Sequence, residues 1–469
     1  MKDEKDKLIE LLFARIEQLE SIIKKQDAKI ASLEARLAKN SHNSSKPPSS
    51  DGFKKGPPKS RSLRKKSGKR SGGQVGHKGS TLEKVSHVDF TIKHKLTHCN
   101  KCLKSLQQSP LLNVESRQVF DIPRPSVTVT EHVGEVKVCP RCNHKQTASF
   151  PKGVNSPTQY GEHIKSILVY LRQYQLIPEA RLQMLMQDLF GVALSKSTIS
   201  KAQLNTYLNL EGFEKRLLKK VNQLPLVHLD ETGLRVQSRM HWLHVAGDAH
   251  WTYYHVNIRR KSLLEELTGI LVHDHWLPYF TLTDCEHVLC NAHHLRELNA
   301  LIDVDERWAH QMKRWLLFSL TLKKHYEPGY IPVDKRLRLF KIYDDIIKRG
   351  VMFHEAKFNP DIQKKPHGIK RAKGHNLVRR LRDFKQETTL FLMDPSIPFT
   401  NNLAEQDIRM MKVQQKISGS FRSLLGAKIF ARIRSLISTA RKQDWDVFET
   451  LRLAVTGQLV FPRARDQPS

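Results

Sequence analysis

The sequence predicts a multidomain α/β protein in which small modules and a helical region precede a mixed α/β core. Three observations lead to this prediction. Apolar residues repeat in heptads near the N-terminus, cysteines come as two Cys-x-x-Cys pairs, and apolar runs of strand length alternate with helical patterns further on. At 469 residues, the chain is long enough for several domains.

The excess of basic over acidic residues indicates which classes of partner the protein can bind. Lys and Arg total 79 against 47 Asp and Glu, which gives a formal net charge of +32. Such an excess favours a polyanionic partner, nucleic acid first, and leaves a ribosomal or membrane-surface protein as the alternative. There is no run of 18 apolar residues and no apolar signal-peptide segment, so we expect a cytoplasmic, nucleoid-associated protein with reduced cysteines.

Residues 1–40 carry an apolar repeat at alternating steps of three and four, which is typical of a coiled coil. We expect this segment to form a homodimer or a higher oligomer, with Gln26 as the one polar position that fixes the register. A single amphipathic helix packed on its own chain is the alternative. The seam consists of Ile9, Leu12, Ile16, Leu19, Ile23, Gln26, Ile30, Leu33 and Leu37.

Residues 41–85 are rich in Ser, Pro, Gly and Lys, a composition that favours disorder in isolation. A flexible basic arm can neutralise DNA phosphates without reading the base sequence. A solvated linker is the alternative. The basic residues that we predict to contact DNA are Lys54, Lys55, Arg64, Lys65, Lys66, Lys69 and Arg70.

Residues 86–152 contain both cysteine pairs, Cys99 with Cys102 and Cys139 with Cys142. In a reducing compartment, paired cysteines at this spacing more often mark a metal site than a disulfide. Each pair can present two thiolates to one tetrahedral Zn²⁺. Because four thiolates leave no open coordination position, we predict a structural zinc site in a zinc-ribbon-like module. Four unligated thiols are the alternative.

Residues 153–222 show helical patterns. Pro178 suits the first turn of a helix, Gly191 ends that helix, and Ser195 can cap the next one. A helix, a short glycine turn and a capped polar helix predict a helix-turn-helix-like DNA-binding region. Two packed helices that do not contact DNA are the alternative.

Residues 223–289 form the first part of the predicted core. An apolar run ends at Asp230, two alternating strands and a short helix at 262–267 follow, and a further apolar strand ends at Asp274. Strand, strand, strand, helix, strand is the order with which a ribonuclease-H-like fold begins. In that order the first and fourth strands are neighbours, so we expect Asp230 and Asp274 to lie side by side.

Glu405 is the third acidic residue of interest, in the segment 397–469 predicted to contain a core helix and a helical C-terminal region. It follows Asn401 and Asn402, which can cap a helix. Two strand-end aspartates and a helix-borne glutamate can hold two Mg²⁺ ions, or Mn²⁺, and activate water or a sugar hydroxyl for attack on a phosphodiester.

Glu231 and Asp284 are alternatives to the two aspartates. We prefer Asp230 and Asp274, because each ends a longer apolar run.

The basic residues Arg409, Lys412 and Lys416 follow Glu405 on the same predicted helix, and we expect them to contact DNA. Arg409 is placed to orient the Glu405 carboxylate or to touch a phosphate, and an ordinary surface pair four residues apart is the alternative.

Residues 290–396 are too many for a minimal core and are predicted to be a helical insertion. The insertion begins with Cys290 and His293, whose spacing suits either a metal site or a motif that braces the insertion on the core.

These segments together resemble bacterial insertion-sequence transposases of the IS66 family. The resemblance implies the DDE transposase class: an enzyme that binds the ends of a mobile DNA element, cleaves DNA with divalent metal ions and joins it to a target, with accessory proteins as further partners. It maps the acidic triad onto Asp230, Asp274 and Glu405. A DNA-binding regulator with an inactive core, or a nuclease that cuts without joining, stays open. Besides the heptads and cysteine pairs, the resemblance rests on Asn43-Ser44-Ser45-Lys46-Pro47-Pro48-Ser49-Ser50-Asp51, Gly72-Gly73-Gln74-Val75-Gly76-His77, Leu229-Asp230-Glu231-Thr232-Gly233, Cys290-Asn291-Ala292-His293 and Asn401-Asn402-Leu403-Ala404-Glu405.

Overall fold

The computed structural model confirms a mixed α/β protein and divides into two compact units. One unit comprises Met1–Lys59 with Thr130–Ser469, and the other comprises Ser60–Val129. The structure describes residues 12–20, 22–23, 26, 30, 33, 76, 81–123, 125–261, 264, 266–358, 364–365, 368–369 and 371–461.

Residues 12–20 are helical and exposed, including the seam residues Leu12, Ile16 and Leu19. The seam positions Ile9 and Leu37 lie outside the described residues, as do all seven basic arm residues from Lys54 to Arg70. Within the described part of the chain, no helix is both long enough and apolar enough to cross a bilayer.

Each cysteine pair lies in a short turn held by backbone pairing. In the smaller unit, an isolated antiparallel bridge joins His98 to Ser105 on either side of the first pair. In the larger unit, strands β1 (Val136–Val138) and β2 (Lys145–Thr147) form an antiparallel hairpin around the second pair.

The helical region begins with α1, whose last residue continues into a π-helical turn at Tyr170–Tyr174. Gly191 ends the second helix at a φ of +67°, and the Ser195 hydroxyl caps the third by accepting the Thr198 N–H at 3.1 Å, as predicted. Pro178 directly precedes the second helix. The helices are α1 (Glu162–Val169), α2 (Glu179–Phe190), α3 (Lys196–Asn209) and α4 (Glu211–Asn222).

A five-stranded mixed sheet is the centre of the larger unit, with strand order β5-β4-β3-β6-β7. The first three strands pair antiparallel, while β6 runs parallel to both β3 and β7. The first and fourth strands of the core are therefore neighbours, which confirms the prediction. The strands are β3 (Leu226–Val236), β4 (Arg239–Gly247), β5 (Thr252–Asn257), β6 (Gly269–His273) and β7 (Cys285–Leu289).

The helix predicted at 262–267 is wrong for the residues that the structure describes there, since 264, 266 and 267 are not helical. Six residues are too few to stabilise a helix without tertiary support. Here tertiary packing disfavours a helix, because Leu267 is buried in the core and its carbonyl accepts a hydrogen bond from the Cys285 thiol.

Helices cover both faces of the sheet. Val227 and Leu229 of β3 pack on one face with α4 and α11, while Leu234 and Val236 pack on the other face with α10 and α11. Alternate residues of β3 therefore face different helices. The C-terminal helices are α10 (Asn402–Ser418), α11 (Leu424–Lys442) and α12 (Val447–Thr456).

Among the described residues between β7 and α10, the elements are mainly helices with one short hairpin, and the helices pack around Trp308, Trp315 and Tyr343. Its elements are α5 (Asn291–Ile302), α6 (Arg307–Tyr326), α7 (Val333–Glu355), β8 (Lys364–Lys365), β9 (Gly368–Ile369), α8 (Lys373–Asp383) and α9 (Lys385–Thr389).

Candidate active site

Asp230 lies within β3, and Asp274 directly follows the last residue of the neighbouring parallel strand β6. The pairing of these strands ends with His228 of β3 opposite Val272 of β6, and continuing it by two residues brings Asp230 towards Asp274. The negative charge of Asp274 contributes to the raised pKa of Asp230, so the two carboxylates are near each other at the edge of the sheet where β6 ends.

The electrostatics of this pair favour a cation. Burial raises the pKa of Asp230 well above its usual value, and the negative charges of Glu231, Asp274 and Glu405 add to that rise. Burial and Glu231 likewise raise the pKa of Asp274. Each aspartate accepts one backbone N–H at 2.9 Å, Asp230 from Glu231 and Asp274 from Trp276. Arg260 and Arg380 partly offset the rise at Asp274. A divalent cation would stabilise the ionised form of both buried carboxylates.

Glu405 lies in the first turn of α10 and is about one-third exposed. The Arg296 guanidinium of α5 donates to Glu405 Oε1 at 3.3 Å, and His293 Nε2 lies 3.8 Å from the same oxygen. The pairing of Glu405 with Arg409 is wrong: among the described residues, the cationic partners of Glu405 come from α5, and Arg409 is exposed.

Asn401 holds the start of α10 against β3. Its side chain donates to the Leu229 carbonyl at 2.6 Å and its Oδ1 lies 2.8 Å from His228 Nδ1. Asn401 occupies the N-cap position of α10, as predicted, but its side chain makes no capping hydrogen bond, because both ends of that amide are used on the strand. Since the contacted residues immediately precede Asp230, Asn401 brings the Glu405 turn to the aspartate pair.

Glu231, the alternative to Asp230, points to the opposite face of the sheet. Its side chain is only 3% exposed, Arg260 Nε donates to it at 3.0 Å, and the Tyr279 hydroxyl donates at 2.5 Å. The Arg260 guanidinium lies between the rings of Trp242 and Trp276, at 4.8 and 4.2 Å from their centroids. Glu231 is therefore a neutralised buried carboxylate, whereas Asp230 is not.

Asp284, the alternative to Asp274, is exposed and precedes β7. Because β7 runs parallel to β6, Asp284 lies at the end of the sheet away from Asp274. Asp274 and Glu405 are near enough to Asp230 for their charges to raise its pKa, whereas Asp284 lies at the other end of the sheet.

The basic residues Arg409, Lys412 and Lys416 are exposed on α10 and recur at steps of three and four from Glu405, so they share its face. Lys412 also donates to the Gly233 carbonyl at 3.3 Å. Burial lowers the pKa of Lys412, and the negative charge of Asp230 partly offsets that lowering.

The two cysteine turns have the same backbone geometry, each considered by itself. In each turn, the N–H of the first cysteine donates to the carbonyl of the residue five positions later. The N–H of the residue four positions later donates back to the carbonyl of that cysteine. All of these distances are 2.9 Å. Leu103 and Asn143 adopt positive φ at the turn. Backbone N–H groups lower the pKa of Cys99 and of Cys139. Such turns stabilise thiolates, the form that binds zinc.

Sequence reasoning did not identify Arg260, Arg296 or the contact between His228 and Asn401. These are pairs distant in sequence, and no local pattern signals them.

Comparisons with known proteins complete the description of the site. A family model described as the Transposase IS66 family matches residues 157–429, a range that includes Asp230, Asp274 and Glu405. A second model, a family of unknown function (DUF6444), matches residues 2–83. A search of curated proteins gives no match.

Proposed function

The chain belongs to the IS66 family of transposases, and we propose that it binds the ends of a mobile DNA element and catalyses metal-dependent DNA cleavage and strand transfer. Asp230, Asp274 and Glu405 would be its acidic triad on a ribonuclease-H-like core. The parallel pairing of β3 with β6, which leads Asp230 towards Asp274, and the Asn401 contact that ties the Glu405 turn to β3 support this proposal.

The three carboxylates are suited to bind two Mg²⁺ ions, or Mn²⁺ in their place. Three carboxylates supply the oxygen ligands that these ions prefer. Among the described residues, no Lys, Arg or His forms an ion pair with Asp230 or Asp274. Burial is the main cause of their raised pKa values, with nearby negative charge as the second, and a bound cation would stabilise the ionised carboxylates against both. Bound ions would lower the pKa of an attacking water or 3′-hydroxyl and stabilise the leaving oxygen.

The remaining residues prepare this cluster. Arg296 holds the Glu405 carboxylate, and Arg260 pairs with Glu231, the acid next to Asp230. Asn401 fixes the distance between helix and strand. Exposed Arg409, Lys412 and Lys416 would bind phosphates of the DNA backbone next to the triad.

The N-terminal modules would hold the DNA. The coiled coil of residues 1–40 would pair two chains, supported by the exposure of its described apolar seam positions. The basic arm, a zinc site at Cys99, Cys102, Cys139 and Cys142, and the region 153–222 would bind the element ends. A dimer or higher oligomer could hold two ends at once in the nucleoid, with accessory proteins as further partners.

Strand transfer with a labelled element end tests the proposal. We expect Asp230→Asn to bind DNA but to lose cleavage by at least about 1,000-fold, since metal-held charge stabilisation contributes several kcal/mol. Asp284→Asn is the matched control, because Asp284 is exposed at the far end of the sheet. Full activity of Asp230→Asn would remove the triad from the mechanism. Wild-type binding without cleavage would indicate a regulator, and cleavage without joined product a nuclease.

A further inference from the structure

A second group of potential metal ligands adjoins the aspartate pair. Ligand atoms of Cys290, His293 and Glu405 all lie within 4.8 Å of one another. In a tetrahedral zinc site, bonds of about 2.0 to 2.3 Å place the ligand atoms roughly 3.3 to 3.8 Å apart. A contraction of about 1 Å therefore brings these three side chains to metal-binding distances.

The fold fixes two of the three ligands firmly. Cys290 follows the last residue of β7 and precedes α5, and its N–H bonds to the His273 carbonyl at 2.9 Å. The register that pairs His273 with Leu289 puts Cys290 opposite Asp274 at the same edge of the sheet. His293 lies in the first turn of α5, so a Cys-x-x-His spacing across a helix start aims both side chains the same way.

The hydrogen bonds around the cluster favour a ligand role over a bracing role. Cys290 is 1% exposed, and its sulfur accepts the Asn401 N–H at 3.1 Å, a bond that stabilises charge on sulfur. The buried His293 Nδ1 has no hydrogen-bond partner within the described residues. At 3.8 Å, His293 Nε2 is too far from Glu405 for a hydrogen bond. A brace would satisfy the imidazole, and this one is left unsatisfied.

Arg296, on the same helix as His293, is a cationic neighbour of the cluster. Arg296 already pairs with Glu405 and would neighbour any ion bound there.

We propose that Cys290, His293 and Glu405 form a site for a late transition-metal ion of the Zn²⁺ class, separate in chemistry from the aspartate pair. Sulfur and imidazole ligands select zinc-like ions, while Mg²⁺ prefers oxygen alone. Binding releases the thiol proton to solvent and leaves the fourth position to water. The functional consequence rests on the proposed function: because the site takes Glu405, an ion bound there withdraws a ligand from the triad and inhibits DNA cleavage.

Cobalt spectroscopy of the full chain tests the site without reference to activity. The four cysteines of the two turns are first filled with Zn²⁺, and Co²⁺ is then titrated. We expect a further binding event with a sulfur-to-cobalt charge-transfer band. Cys290→Ser should abolish the band and weaken binding at least about 100-fold. The matched control Cys285→Ser, at the start of the strand that Cys290 follows and outside the cluster, should keep both.

His293→Gln supplies a second variant, since His293 is partly exposed and its loss is easier for the fold to tolerate than that of Cys290. It should keep the charge-transfer band and bind Co²⁺ more weakly. Circular dichroism shows whether each variant folds. An undiminished band in folded Cys290→Ser, or unchanged Co²⁺ affinity in His293→Gln, would overturn the proposal.

The inhibitory consequence is measured separately, as Mg²⁺-dependent cleavage with increasing Zn²⁺. We expect inhibition of the wild type and at least about tenfold less sensitivity in His293→Gln. If the cobalt band is present but no ion supports cleavage, the metal site stands and the proposed catalytic function fails. If cleavage occurs and the band is missing, the reverse holds.

Discussion

Asn401 offers the sharpest test of how the site is assembled. Asn401→Ala removes the donor to the Leu229 carbonyl and the partner of His228 Nδ1. Asn401 and His228 are 1% and 4% exposed, so the stranded groups stay largely out of reach of water. At about 1 to 3 kcal/mol for each buried polar group left unpaired, the variant should lose about 2 to 5 kcal/mol of stability.

The same change should impair catalysis beyond its effect on folding. The Glu405 turn is tied to β3 through this side chain, and a displacement of about 1 Å in a catalytic group can cost about 100-fold in rate. Urea unfolding gives the stability, and cleavage of a labelled element end under conditions where the variant is folded gives the rate.

Asn402→Ala is the matched control, because Asn402 is the next residue, is exposed, and begins the helix. It should change the unfolding free energy by no more than about 0.5 kcal/mol and leave cleavage near the wild-type rate. If Asn401→Ala behaves like Asn402→Ala in both assays, the strand contact does not position Glu405, and the account of the site is wrong.

Three further predictions concern Asp230, Arg260 and Cys99. The pKa of Asp230 in the folded protein is raised above its unfolded value of about 3.9, so its ionisation destabilises the metal-free fold as pH rises through that folded value. Asp230→Asn should therefore raise the melting temperature at pH 7. Mg²⁺ should stabilise the wild type more than the variant. An equal response to Mg²⁺ would contradict this. Arg260→Met leaves Glu231 buried and uncompensated, and should lower the unfolding free energy measured in urea by about 1 to 3 kcal/mol. The loss should be smaller in the double variant with Glu231→Gln. Additive losses in the two single variants would exclude the pairing. Cys99→Ser should lower the zinc content measured by elemental analysis, whereas Cys285→Ser should not; an unchanged content would place the zinc elsewhere.

The parts of the fold that a periodic pattern governs could be predicted from the sequence. Apolar runs predicted the two strands, and chain order predicted their adjacency. The glycine and serine signals gave the boundary between α2 and α3. In each case, a local rule and the tertiary structure agree. The prediction that Asp230 ends its strand is wrong, because β3 continues to Val236, whereas Asp274 does directly follow β6.

Predictions failed where a local signal and a distant contact competed. The segment 262–267 has helical spacing, but burial of Leu267 decides its conformation. Asn401 has the composition of a helix cap, yet its amide bonds to a strand far away in sequence. Arg409 is four residues from Glu405, but Arg296 holds the carboxylate instead.

The contrast between Asp230 and Glu231 shows why composition alone does not define the site. The two acids are consecutive, so the alternation of a strand sends them to opposite faces. Glu231 meets Arg260 and Tyr279, whose charge and hydroxyl satisfy it. Asp230 accepts one backbone N–H and has no ion-pair partner among the described residues, although Lys412 is near enough to feel its charge. A one-residue change of register would exchange these environments and leave the unsatisfied acid among the apolar residues of α4 and α11. The extent of the apolar run before Asp230 therefore fixes both the core and the acid that remains free for a metal ion.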